Sequence, residues 1–143
     1  MSCVFCTDHH PEEIWRGRFF YVIDAKEPHF PCYLRIVACR HVPEMSDLTA
    51  EERQNLWEIL NLIERMMRDM LSVHKINYAQ FGNMVPHLHW HLIARWKDDT
   101  HFPECPWGKQ QREADPVLEK KRSLQTEILK ATLAAQLSAK FPD

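Results

Sequence analysis

Glycine is scarce in this chain of 143 residues, and its scarcity excludes two common phosphate-binding motifs. Only three glycines occur, Gly17, Gly82 and Gly108, and they lie far apart in the sequence. A P-loop or a dinucleotide-binding fingerprint needs several glycines within a few residues, because the backbone must turn sharply and approach the phosphates closely. Any phosphate must therefore be bound by side chains and scattered backbone amides.

An excess of charge and a long apolar run are also missing. The 18 basic and 20 acidic residues nearly cancel, so the chain lacks the basic surface that drives sequence-independent nucleic-acid binding. No apolar run approaches the roughly 20 residues that span a bilayer, and the N-terminus lacks the basic and then apolar order of a signal peptide. These absences predict a cytoplasmic protein with neither a polynucleotide nor a membrane as its partner.

The cysteines do not form the pattern of a disulfide framework. There are five of them, an odd number, and no export signal accompanies them, so reduced thiols are expected. Cys3 and Cys6 are separated by two residues, a spacing that lets both thiolates reach one zinc ion. The alternative is that both are ordinary reduced thiols near the end of the chain.

Chain length and composition predict a single domain over residues 1–143, and hydrophobic patterning predicts an α+β fold. Thr49 and Glu52 have the spacing of a capping box and start a long central helix, while Asp115 and Pro116 start a second helix. The order β-β-α-β-β-α predicts an antiparallel sheet packed with that central helix and with a C-terminal helical extension at 115–140. The predicted strands lie at 19–23, 33–38, 75–81 and 87–96.

A row of histidines is the most informative feature of the chain. His87, His89 and His91 alternate with apolar residues, and on a β-strand this spacing places all three on one face. A single histidine on a strand is more often structural, but three in one row favour chemistry. Imidazole has a reference pKa of about 6.5, which suits metal binding, acid-base catalysis and nucleophilic catalysis.

The heptapeptide His87 to Ile93 resembles the signature of the histidine triad (HIT) superfamily of nucleotide hydrolases and transferases. The likeness extends through 20–24, 36–42, the long helix and 106–108, so it covers a core of about residues 3–108. The chain is similar above all to the bacterial branch often described as diadenosine tetraphosphate hydrolase or histidine triad protein. The resemblance implies a HIT-like fold, an enzyme and a homodimer.

The resemblance also implies a role for each histidine. His89 would be the nucleophile that attacks the α-phosphorus of a nucleotide conjugate, either a dinucleoside polyphosphate or a nucleoside phosphoramidate, and forms a covalent nucleotidyl-histidine. His91 would donate a hydrogen bond to the phosphate or the leaving group. His87 would position its neighbours. No cofactor would be needed for this chemistry.

Three further residues are implied to bind the substrate. Asp24 matches an acidic residue that binds the ribose hydroxyls, although a turn-capping aspartate is an equally good interpretation. Gln80 and Asn83 lie where polar phosphate contacts are expected. The chain departs from the family pattern at Met84, where a small hydroxyl residue is usual, and at Cys32-Tyr33, where a Gly-His pair is common. These departures leave room for a nucleotide-binding regulatory protein with little activity.

By the same resemblance, the cysteine pair would bind a structural zinc ion together with two histidines. The ligands would be Cys3, Cys6, His41 and His87, a closed tetrahedral set of sulfur and nitrogen atoms. Such an ion would brace the histidine strand without entering the chemistry. A further alternative is a zinc-binding scaffold in which the histidine row serves only the metal.

Overall fold

The computed structural model describes residues 3–142 and contains one antiparallel sheet and two long helices. The sheet has five strands in the order β1-β2-β3-β5-β4, and every neighbouring pair is antiparallel. The predicted α+β class is confirmed. In chain order the elements are β1 Glu13–Arg16, β2 Phe20–Asp24, β3 Tyr33–Ala38, α1 Ala50–Leu71, β4 Lys75–Ala79, β5 His89–Arg95 and α2 Pro116–Lys140, with a 3₁₀ turn at Met45–Asp47 before α1.

Sequence patterning missed β1 and made β5 too long. Strand β1 has four residues, of which only Trp15 is buried, so it carries no clear alternation. Strand β5 begins at His89, and His87 lies just before it. The Leu88 N–H donates to the carbonyl of Val42, and the Leu88 carbonyl accepts from the N–H of Ala38. The chain around His87 is therefore fixed by backbone hydrogen bonds, although it is outside the regular strand.

The two faces of the sheet have different surroundings. Both helices cover one face, where the core side chains of β2, β3 and β5 pack against α1 and against Leu129, Leu133 and Leu137 of α2. Neighbours across antiparallel strands share a face, so the register places Arg35 beside His91 and Val37 beside His89 on the other face. The histidine row therefore lies on the face that the helices leave uncovered. Within residues 3–142, no helix is long and apolar enough to cross a membrane.

Helix α1 begins with the capping box that the sequence predicts. The Thr49 hydroxyl accepts from the Glu52 N–H at 3.1 Å, and the Glu52 carboxylate accepts from the Thr49 N–H at 2.8 Å. The same carboxylate accepts two hydrogen bonds from Arg40, at 2.9 and 3.0 Å. Hydrogen bonding to Arg40 is the main cause that lowers the pKa of Glu52 to about 2. Glu52 thus joins the start of α1 to the segment that follows β3.

We expect Glu52→Ala to lower the free energy of unfolding by about 1–2 kcal/mol at pH 7, because it removes the cap and the bonds from Arg40. Since folding lowers this pKa, the contribution is present above the unfolded value of about 4.3 and disappears as the pH falls towards 2. Urea denaturation of the wild type and the variant at several pH values measures this contribution to the free energy of unfolding. Glu51→Ala, an exposed neighbour, is the control, and an equal loss in both variants would contradict the prediction.

Candidate active site

The three histidines form a row on the uncovered face of the sheet. The ring centroids of His89 and His91 are 5.1 Å apart. Phe5, from the N-terminal loop, lies 4.8 Å from His89 and 5.9 Å from His87, so one aromatic ring contacts two members of the row. The three residues are 0–7% exposed. The row is thus shielded from most of the solvent, although no helix covers it.

Backbone carbonyls determine which nitrogen of two imidazoles carries the proton. Nδ1 of His89 lies 2.7 Å from the His87 carbonyl oxygen, and Nε2 of His87 lies 2.6 Å from the Ala38 carbonyl oxygen. Because a carbonyl oxygen only accepts, each of these nitrogens is the protonated donor. In the neutral rings, the lone pair is therefore on Nε2 of His89 and on Nδ1 of His87. The first is available to a substrate and the second to a metal ion.

The site favours the neutral form of every histidine in the row. Burial lowers the pKa of His87, and the nearby His41 and His89 lower it further. Burial also lowers the pKa of His89, and the Arg35 guanidinium adds to the effect. Burial, followed by the charges of His89 and Arg35, lowers the pKa of His91 to about 4. A neutral imidazole is the form that can act as a nucleophile.

Tyr33 holds the ring of His91. The Tyr33 hydroxyl lies 2.8 Å from Nδ1 of His91, and the two rings meet edge to face. The neighbouring Arg35 has only hydrogen-bond donors, so it cannot accept the Tyr33 hydroxyl proton. That proton therefore has its acceptor in Nδ1 of His91. His91 then carries its own proton on Nε2. This makes the ring a hydrogen-bond donor to any group bound over the row.

A second cluster joins the N-terminal loop to the row. The ligand atoms of Cys3, Cys6, His41 and His87 all lie within 4.8 Å of one another. The Nδ1 atoms of His41 and His87 are 3.0 Å apart, and the Cys6 sulfur lies 3.1 and 3.5 Å from them. Tetrahedral zinc with bonds of about 2.0–2.3 Å requires ligand separations of roughly 3.3–3.8 Å. The donor set therefore fits zinc, and shifts of a few tenths of an ångström would bring the separations from Cys6 and between the two histidines to tetrahedral values.

Asp24 does not join the histidines. In the register of β2 and β3 it pairs with Leu34, which puts its side chain on the face that the helices cover. Its carboxylate accepts from Nζ of Lys130 in α2 at 3.0 Å and from the Lys26 N–H at 2.9 Å. The second bond is the side-chain-to-backbone contact of an aspartate turn. These contacts favour the turn-capping interpretation over ribose binding.

The other predicted substrate residues lie at the end of β4. Ala79, the last residue of β4, pairs with His91, and Gln80 follows it directly. Asn83 is exposed in the next loop, and Met84 is 94% exposed. The structure therefore brings this loop to the His91 end of the row, with no hydrogen bond between its polar side chains and the histidines among the described residues.

Four neighbours of the row were absent from the predicted site. Phe5 contacts His87 and His89, Tyr33 contacts His91, and Arg35 pairs with His91 across the sheet. Phe81, the fourth, lies 6.1 Å from His91, and Trp107, within the 106–108 segment that shares the family resemblance, lies 5.7 Å from it. An arginine within the apolar run of β3 was the one sequence signal that could have indicated a site residue.

Solved structures identify the class to which this fold belongs. A zinc-bound histidine triad family protein from Mycobacterium smegmatis superposes with a TM-score of 0.63 at 23% identity, over 97% of this chain and 98% of that one. The five-stranded sheet with its two helices is therefore the fold of a histidine triad protein.

The family assignment agrees with the fold. The model of the HIT domain matches residues 16–98, more than half of the chain, and the chain belongs to the HIT domain family. An AP-4-A phosphorylase from Mycobacterium tuberculosis is 29% identical over 102 residues, which cover 67% of this chain and 52% of that protein. A bis(5'-adenosyl)-triphosphatase from Saccharomyces cerevisiae is 34% identical over 89 residues, 58% of this chain and 43% of that protein. The chain spans about half the length of these curated relatives.

We expect His91 to be neutral at pH 7 with its proton on Nε2, because Tyr33 donates to Nδ1 and burial opposes the charged form. Long-range proton–nitrogen NMR spectra distinguish the two tautomers, and Tyr33→Phe assigns the effect of the hydroxyl. The ring should gain a second proton only as the pH falls to about 4. Titration near pH 6.5, or a proton on Nδ1, would contradict this geometry.

Proposed function

We propose that the protein cleaves nucleotide conjugates at the α-phosphate, as a hydrolase or nucleotidyl transferase, through a covalent nucleotidyl-histidine at His89. The observation that carries the proposal is the 2.7 Å contact between Nδ1 of His89 and the His87 carbonyl oxygen. This contact leaves the Nε2 lone pair of His89 free beside His91, on the uncovered face. A neutral, oriented imidazole is what nucleophilic attack at phosphorus requires.

The reaction proceeds in two displacements. Nε2 of His89 attacks the α-phosphorus, a P–N bond forms, and the bond to the leaving group breaks. A polyphosphate leaving group departs as an anion with the electron pair of that bond, whereas the amine of a phosphoramidate also takes up a proton from solvent as it leaves. The imidazole is now positively charged, and its Nδ1 proton stays hydrogen-bonded to the His87 carbonyl.

Water completes the cycle by attacking the same phosphorus. The P–N bond breaks, its electron pair returns to Nε2, and the water proton goes to solvent with release of a nucleoside monophosphate. Nε2–H of His91 donates to a phosphoryl oxygen in both steps and stabilises the charge that develops there. If another acceptor attacked in place of water, the same nucleotidyl-histidine would transfer its nucleotidyl group to that acceptor.

Dinucleoside polyphosphates and nucleoside phosphoramidates are the proposed substrates. Both curated relatives carry names that refer to adenosine polyphosphates. The Phe81 and Trp107 rings, 5.1 Å apart at the His91 end of the row, supply an aromatic rim against which a base can pack. Phosphate binding by Gln80 and Asn83 stays a prediction. Ribose binding by Asp24 also stays a prediction, although the hydrogen bonds from Lys26 and Lys130 to its carboxylate favour the turn-capping interpretation. A two-fold homodimer also stays a prediction.

We further propose that Cys3, Cys6, His41 and His87 hold a structural zinc ion. The separations of their ligand atoms and the Nδ1 lone pair of His87 support this assignment. A Mycobacterium smegmatis protein of the same fold is described as zinc-bound. The cluster takes only His87 from the row, which favours a catalytic row over a scaffold in which all three histidines serve the metal. When bound, the ion would brace the loop that carries Phe5.

Replacing the nucleophile tests the proposed reaction. We expect His89→Ala to lower the turnover of a diadenosine polyphosphate and of a nucleoside phosphoramidate by at least about 10³-fold, because no covalent intermediate can form. Mass spectrometry of the quenched wild-type protein should find a nucleotidyl group on the peptide that contains His89.

His9→Ala is the matched control, since His9 is an exposed histidine outside both clusters. Turnover by His89→Ala within tenfold of the wild type would reject the nucleophile. Binding of adenosine monophosphate by the wild-type protein, without turnover of either substrate, would favour the regulatory alternative.

Metal content tests the zinc proposal. We expect one zinc ion per chain in the purified protein and almost none in Cys6→Ser, because one of four ligands is lost. A chelator should lower the melting temperature of the wild-type protein but have little effect on the variant. Cys105→Ser, which removes an exposed thiol outside the cluster, is the control. Equal zinc content in both variants would contradict the assignment.

A further inference from the structure

A guanidinium group lies beside the histidine row. Arg35 is in β3, where it pairs across the sheet with His91, so the two side chains share the uncovered face. The guanidinium carbon lies 5.8 Å from the centre of the Tyr33 ring, the ring that holds His91. The row of neutral imidazoles therefore has a permanent positive charge next to it.

This guanidinium has no carboxylate partner within residues 3–142, and the Tyr33 hydroxyl is its hydrogen-bonding neighbour. Its Nε atom is buried and makes no hydrogen bond, and none of the ion pairs among the described residues includes it. Other arginines of the sheet are paired. Arg16 lies 2.8 Å from the Glu13 carboxylate, and the buried Arg95 lies 2.8 Å from the Asp99 carboxylate.

An unpaired, partly buried cation is costly, because it loses hydration without gaining an anion. A ligand that supplies the anion removes that cost. The planar guanidinium is well suited to phosphate, since its parallel N–H groups bond two oxygens at once.

We propose that Arg35 is a catalytic residue that binds a non-bridging oxygen of the phosphoryl group attacked by His89. The inference rests on the function proposed above and adds a residue to it. Negative charge on the phosphoryl oxygens increases as Nε2 of His89 approaches the phosphorus, and a fixed cation stabilises that charge without reorganising. His91 and Arg35, which face each other across β3 and β5, would then bind the same phosphoryl group from two strands.

Arg35→Gln tests the inference on two substrates with different leaving groups. We expect turnover of a nucleoside phosphoramidate and of a diadenosine polyphosphate to fall by the same factor, about 10- to 100-fold, because both contain the reacting phosphoryl group. Arg35→Lys should retain part of the activity, since it keeps the charge and loses the planar fork. Arg65→Gln, which removes an exposed arginine of α1, is the control.

Stereochemistry separates a contact with phosphate from a purely structural role. Replacing one non-bridging oxygen at the α-phosphorus by sulfur gives two diastereomers, and Arg35→Gln should change the ratio of their turnover rates. An unchanged ratio would overturn the inference, as would a loss confined to the polyphosphate, which would place Arg35 at the leaving group. Full activity of Arg35→Gln would overturn it as well.

A binding measurement distinguishes failure of this inference from failure of the proposed function. If the wild-type protein turns over neither substrate, the proposed function is wrong, and calorimetry with adenosine monophosphate then tests Arg35 alone. We expect Arg35→Gln to bind adenosine monophosphate about tenfold more weakly than the wild type. Equal affinities would overturn the inference in that case. If the wild type is active and the variant is unaffected, only the inference fails.

Discussion

The hydrogen bond from Nδ1 of His89 to the carbonyl of His87 is the contact on which the site depends. It sets the tautomer of His89 and directs the opposite nitrogen towards the uncovered face. His87 is held in turn by the bond between its Nε2 and the Ala38 carbonyl, and its Nδ1 faces the cysteine pair. One residue therefore connects the sheet, the candidate metal cluster and the proposed nucleophile through three different polar atoms.

The electrostatics of the row agree with that geometry. Burial keeps the imidazoles neutral, and Arg35 opposes any positive charge on His89 and His91. In the proposed reaction, a site built in this way holds its positive charge on a guanidinium that never loses its proton, and keeps the proposed nucleophile uncharged. Attack and charge stabilisation, the two tasks of phosphoryl transfer, would thus be performed by different side chains on neighbouring strands.

Sequence patterns predicted the parts of this structure that depend on local rules. The alternation at His87 to His91, the Thr49 and Glu52 box and the Asp115 cap each follow from the geometry of one element, and each is present in the fold. The face occupied by Asp24 and Arg35 could not be predicted in the same way. Alternation relates residues within one strand, whereas the register between β2, β3 and β5 decides which of them share a face. Contacts made by loop residues such as Phe5 have no periodicity at all.

The position of Phe5 links access to the nucleophile with the state of the cysteine pair. Phe5 lies between Cys3 and Cys6 in the sequence, and its ring packs on His89. A metal ion bound to Cys3 and Cys6, and to His41 and His87 outside the loop, would hold this ring in place. Without the ion, the loop would leave the ring free to swing aside. A preparation with partial metal loading would therefore contain two populations with different accessibility at the same imidazole, and chemical modification of His89 would follow two phases although the polypeptide is uniform.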